Sequence, residues 1–187
     1  EQKLLSGFTE WVLDLRKRGI KVVGIEGGAT KGYRPDALIN WNINPRWHGY
    51  EWFPDTKYFI GEKFVILRKP FTKAPKKKIA KQCKTIFVSV GGGTEGVEGV
   101  LFPRIMSALS LAGFSGNVVF VVGAAHRDPQ NLVRLMARWP NTKVLYNIPA
   151  ADIARIMSGS DLAITAAGIT LYELSCMGIP SVTISIV

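Results

Sequence analysis

The 187 residues carry 47% hydrophobic and 20% charged side chains, apolar material for one core and part of a second and too much for a disordered tail. Net charge is +10, but nine of the 24 Lys and Arg fall between Lys63 and Lys84, with only Phe71 interleaved among the Lys cluster, so the charge does not have the form of a nucleic-acid groove. No apolar run approaches the roughly 20 residues of a membrane span and no secretion leader opens the chain, so the expectation is a soluble cytoplasmic protein.

Leu4, Leu5, Phe8, Trp11, Val12 and Leu15 recur at helical spacing, and Lys17, Arg18 and Gly19 supply a cationic last turn and a cap, which predicts a helix over residues 3–18. Residues 20–25 read as a buried strand and 37–40 as a second short one, separated by the Arg34, Pro35, Asp36 turn. The strand that should open a βαβ unit is missing, so the chain is expected to start partway through a Rossmann-like N-terminal domain of about residues 1–60. Residues 41–64, rich in Trp, Tyr and Phe and broken by Pro45 and Pro54, read as a packed connection. The basic stretch 61–84, with Pro70 and Pro75, reads as a solvated linker. A surface for anionic lipid or an anionic substrate is its other reading. Cys83 and Cys176 have no Cys or His at ligand spacing, which predicts two free thiols and no zinc site.

From Thr85 the pattern becomes regular, with strands at 86–90, 118–122, 143–146, 162–165 and 181–187. Helices are expected from Pro103 to Gly113, after the Asp128 cap with Pro129 at its first position, over 151–157 and over 171–177. This alternation predicts an α/β fold with a parallel sheet, binding its ligand beyond the carboxyl ends of the strands. The last strand ends on Ile186 and Val187 with no turn or polar cap after it, which suggests a domain, 85–187, truncated at its C-terminus.

Two turns could hold phosphate. Gly91, Gly92, Gly93, Thr94, Glu95 and Gly96 satisfy G-x-G-x-x-G, but the next strand ends Val122, Gly123, Ala124 with no acid for a ribose diol, which argues against a dinucleotide. Ala166, Ala167 and Gly168 lead into a helix with Ile169 and Thr170 at its start, where free N–H groups and the dipole suit a diphosphate. Glu173 has two readings: an acceptor of ribose hydroxyls, or the second half of a capping box with Thr170.

The run Asp161, Leu162, Ala163, Ile164, Thr165, Ala166, Ala167, Gly168, Ile169, Thr170, Leu171, Tyr172, Glu173, followed by Gly178, Ile179 and Pro180, resembles the C-terminal domain of glycosyltransferase family 28. Within it the likeness is to the PseG/SpsG-like UDP-sugar hydrolases, relatives of MurG. Residues 37–40 with Asn42, 59–67 with Pro70 and Phe71, and 87–92 agree with it.

The resemblance implies two Rossmann-like domains in a GT-B arrangement, with UDP in the C-terminal one. It implies an enzyme that hydrolyses or transfers a sugar at its anomeric carbon in polysaccharide or nonulosonic acid biosynthesis, with a UDP-sugar as substrate and neither cofactor nor metal. By the same resemblance Glu173 would bind the ribose, while Ala167, Gly168, Ile169 and Thr170 would line the diphosphate. Gly91, Gly92, Gly93 and Thr94 would approach phosphate or sugar, and Ile148, Pro149 and Ala150 would meet the uracil. Gly93 and Thr94 stand where those hydrolases usually have Ser-Asp. The family's catalytic base resembles a histidine in a glycine-rich turn near the N-terminus, and this sequence has no counterpart to it. His48 and His126 read as packing or surface residues, with His126 close to the expected ligand edge. A MurG-like transferase with a sugar or lipid-linked acceptor, peripheral to the membrane, is the alternative, as is a nucleotide-binding subunit needing a partner chain.

Overall fold

The computed structural model describes residues 2–25, 32–42, 51–92 and 97–186. The chain divides into two compact units, Glu1–Ile66 and Leu67–Val187.

In the first unit, helix α1 (Gln2–Lys17) accompanies a parallel sheet of β1 (Val23–Ile25), β2 (Ala37–Asn40) and β3 (Lys57–Ile60), in that order. Val12, Tyr33 and Leu38 form its small core. Two predicted elements change. Strand β1 is shorter than expected and largely exposed, because it is the edge strand and only Gly24 turns inward, beneath Tyr33. The aromatic connection contains β3, whose alternation the density of Tyr and Phe conceals. Asp36 ties the unit together, accepting from the Val22 amide at 3.0 Å and from Lys21 at 3.0 Å.

The second unit is a five-stranded parallel sheet of β4 (Thr85–Ser89), β5 (Asn117–Val122), β6 (Thr142–Tyr146), β7 (Leu162–Ala166) and β8 (Ser181–Ile184). Its spatial order is β6-β5-β4-β7-β8, the Rossmann-like pattern in which the chain leaves β4 to one side and later returns on the other. Successive strand residues face opposite ways. Ile86, Val88, Val90, Val118 and Phe120 therefore pack on α3 (Val97–Leu111) and α4 (Pro129–Met136), with Phe102 against Phe120 at 4.3 Å between ring centroids. Phe87, Val121 and Ala163 pack on the other side with α2 (Lys69–Lys73), α5 (Ala150–Gly159) and α6 (Ile169–Met177).

Helix α4 starts as expected: the Asp128 carboxylate accepts from the Asn131 amide at 3.0 Å, with Pro129 at the first position. Helix α3 begins six residues before the expected Pro103, which lies inside it. The missing Pro103 N–H is outweighed by burial of Phe102, Ile105 and Met106 on the core face. The stretch expected as a linker instead carries α2, with Phe71 fully buried in the core. Its Lys77 is anchored as well, donating from its amide to the Met177 carbonyl at 2.8 Å and from its ammonium to Asp161 at 3.0 Å. Cys83 and Cys176 are free thiols, as expected.

Candidate functional site

A cavity of about 420 Å³ opens at the carboxyl ends of β4, β5, β6 and β7. Each strand contributes its end or the turn that follows it: Ser89 at the end of β4 with Gly91 and Gly92 after it, Gly123 and Ala124 after β5, Asn147 and Ile148 after β6, and Gly168, Ile169 and Thr170 after β7. That volume suits a small molecule.

Two turns on its floor are glycine for separate reasons. Gly91 has φ +137°, a conformation that L side chains rarely adopt. Gly123 lies so close to the first turn that a Cβ there would meet the Gly92 carbonyl oxygen at 2.1 Å. The Ala125 amide also donates to that oxygen, at 3.2 Å. Asn147 has φ 47°, in the left-handed region that Asn tolerates best after Gly.

Helix α6 starts at the cavity wall. Gly168 is its N-cap in extended geometry with no side-chain cap bond; the Leu171 amide donates to the Gly168 carbonyl at 3.0 Å, and the Ile169 and Thr170 amides at the helix start face no capping side chain that would compete with an anion. The capping-box reading of Thr170 and Glu173 is therefore corrected: Glu173 is the fifth helical residue and bonds elsewhere. Arg68 Nε and Nη2 both donate to its Oε1, at 3.0 and 2.9 Å. Glu173 is 1% exposed, and its Oε2 has no hydrogen-bond partner among the described residues. Burial pushes the Glu173 carboxyl above its usual range, and the Arg68 hydrogen bond and charge oppose that rise.

Of the predicted residues, Gly91, Gly92, Ile148, Gly168, Ile169 and Thr170 come together on the cavity. Pro149 caps α5 and Ala150 opens it, while neither they, Ala167 nor Glu173 is a lining residue. Gly93, Thr94 and His48 lie outside the described residues. His126 lines a separate hollow of about 210 Å³ with Gly99, Arg127, Asp128 and Asn131. Its Nδ1 is buried without a partner among the described residues. Sequence reasoning missed Arg68, Ser89, Asn147 and Ile153. Arg68 is 105 residues from its carboxylate, so no local pattern marks it.

The fold is a Rossmann-like α/β domain, and its glycine-floored crevice lies at the switch point of the sheet, where folds of this kind place their ligands. The chain is 29% identical over 133 residues to the spore coat polysaccharide biosynthesis protein SpsG of Bacillus subtilis, covering 70% of this chain and 38% of that protein. It is 27% identical over 159 residues to the uncharacterized protein MJ1062 of Methanocaldococcus jannaschii, covering 80% of this chain and 32% of that one. The chain thus spans about a third of the length of the curated relatives it matches. No protein-family model matches it. No described helix is long and apolar enough to cross a membrane.

Proposed function

We propose that this chain carries the nucleotide-binding part of an enzyme of surface-polysaccharide or nonulosonic acid biosynthesis that takes a UDP-sugar and acts at its anomeric carbon. The distant likeness to a polysaccharide biosynthesis protein supports the pathway class. The observation that carries the reading is the cavity itself: glycine backbone from two turns, the uncapped start of α6 and one guanidinium converge at the carboxyl edge of the sheet. These are donors, as a diphosphate requires.

The favoured reaction is hydrolysis. Water attacks the anomeric carbon, the bond to the diphosphate oxygen breaks with its electron pair, and UDP departs. Backbone amides, the α6 dipole and Arg68 would stabilise the charge that develops on that oxygen. Neither metal nor cofactor is assigned a role. The side chain that takes the proton from water is not assigned among the described residues.

Calorimetric titration with UDP, UMP and NAD tests the reading. UDP is expected to bind more tightly than UMP and NAD not at all, whereas preferential NAD binding would replace the proposal with a dehydrogenase.

A second reading, transfer to a lipid-linked acceptor, is favoured by Ile79, 76% exposed among the exposed Lys76, Lys78 and Lys81. That combination suits an anionic bilayer surface. Flotation with vesicles containing phosphatidylserine separates the readings: transfer predicts co-flotation that Ile79→Ser weakens, and hydrolysis in solution predicts none.

A further inference from the structure

Among the side chains that line the cavity, those with hydrogen-bonding heads are Arg68, Ser89, Asn147 and Thr170. Asn147 is exposed and Thr170 half-buried, so water can satisfy both. Ser89 differs: it is only 9% exposed, and its Oγ has no hydrogen-bond partner among the described residues. A buried hydroxyl without a partner destabilises a fold, so its presence calls for a reason. Successive residues of β4 alternate between the faces of the sheet. Ile86, Val88 and Val90 pack toward α3 and α4, so Ser89 shares with Phe87 the face covered by α2, α5 and α6. Its neighbour in register on β7 is Thr165, also buried, whose hydroxyl is already spent on the Ala166 carbonyl at 3.3 Å. Ser89 stands just before the Gly91 turn, and Thr165 just before Gly168, the N-cap of α6. The free hydroxyl therefore lies between the two turns whose backbone suits an anion.

We propose that Ser89 is a further ligand-contacting residue, its Oγ–H donating to a phosphate oxygen of the bound diphosphate. This rests on reading the cavity as a nucleoside-diphosphate site. Bonds from a hydroxyl to an ionised oxygen are short and strong. The donor here stands on the central strand of the sheet rather than on a loop, so it is held in place before the ligand arrives. One hydroxyl thus costs the fold stability and contributes affinity for the ligand, and its removal should move the two in different directions.

The test compares the wild-type chain, Ser89→Ala and Thr165→Ala by thermal melts without ligand and by calorimetric titration with UDP, uridine and inorganic pyrophosphate. Ser89→Ala is expected to melt no earlier than wild type, yet to lose roughly tenfold or more in affinity for UDP and pyrophosphate while uridine stays within about twofold. Thr165→Ala removes a paired hydroxyl on the neighbouring strand. It should melt earlier and keep the wild-type ratio of UDP to uridine affinity.

Wild-type UDP affinity in Ser89→Ala overturns the inference and leaves the nucleotide reading intact. So does a Ser89→Ala variant that melts earlier or fails to fold, because the hydroxyl then serves the fold. An equal phosphate-selective loss in Thr165→Ala has the same consequence, since it traces the effect to a disturbed cavity floor. Ser89-dependent pyrophosphate binding without UDP binding sinks the nucleotide reading alone, and a wild type that binds neither sinks both.

Discussion

Replacing Gly123 by alanine strikes the floor of the cavity where two turns touch. The added Cβ would lie 2.1 Å from the Gly92 oxygen, 2.3 Å from its carbonyl carbon and 2.7 Å from its Cα. All three atoms are backbone, so no side chain can rotate away. Relief to ordinary contact, about 3.5 Å, requires the Gly91–Gly92 turn to retreat by roughly 1 Å or more. The retreat stretches the hydrogen bond from the Ala125 amide to Gly92, now 3.2 Å. Overpacking costs about 1–3 kcal/mol and the lost bond about 1 kcal/mol, a total of about 2–4 kcal/mol. At about 2–4 °C per kcal/mol for a chain of this size, the melting temperature should fall by roughly 4–16 °C. Circular dichroism melts of both proteins, paired with UDP titration, provide the assay. An alanine variant that melts with the wild type and binds UDP equally well would refute the close approach of these turns and the cavity built on it.

Gly99, in the first turn of α3, has open space around it, so Gly99→Ala should instead stabilise by about 0.5–1 kcal/mol in the same melts. Phe71→Ala should cost about 3–5 kcal/mol, read by urea unfolding; a loss below 1 kcal/mol would mean that α2 is not part of the core. Asp161 is held below the usual carboxylate range, first by the Lys84 amide and then by the Lys77 ammonium. Its contribution is therefore complete above about pH 4, the ordinary Asp value, and is lost as pH falls from there through the lower folded value. Asp161→Asn should melt earlier than wild type at pH 7, with the gap closing below about pH 4; a gap independent of pH would refute the ionic account. Glu173 has the opposite sign: its raised folded value favours the folded state in acid, and that contribution is lost as pH rises through it.

Much of the second unit was legible because its signals are local. Asp128 followed by Pro129 specifies a helix start through one side-chain oxygen and one missing N–H, and the structure has that start. The run at 118–122 is apolar throughout, and that at 86–90 is apolar but for Ser89, because the sheet is covered on both faces, which is the mark of a parallel sheet. Where tertiary packing overrode local preference, expectation failed. Pro103 looked like a helix start, yet the burial of Phe102, Ile105 and Met106 carries the helix through it. The Lys-rich stretch looked solvated, yet Phe71 alone pulls α2 into the core.

The candidate site divides along the same line. Gly91, Gly92, Gly168 and Thr170 could be named from the chain because backbone approach to a phosphate demands small residues at a strand-to-helix turn, a requirement written within a few neighbouring positions. Which strands lie side by side, that Gly123 presses on Gly92, and that Arg68 closes over Glu173 were decided only by folding. Those relations join residues tens to more than a hundred positions apart, and such contacts come from the order of strands in the sheet and the packing of helices on it, which no short stretch of sequence encodes.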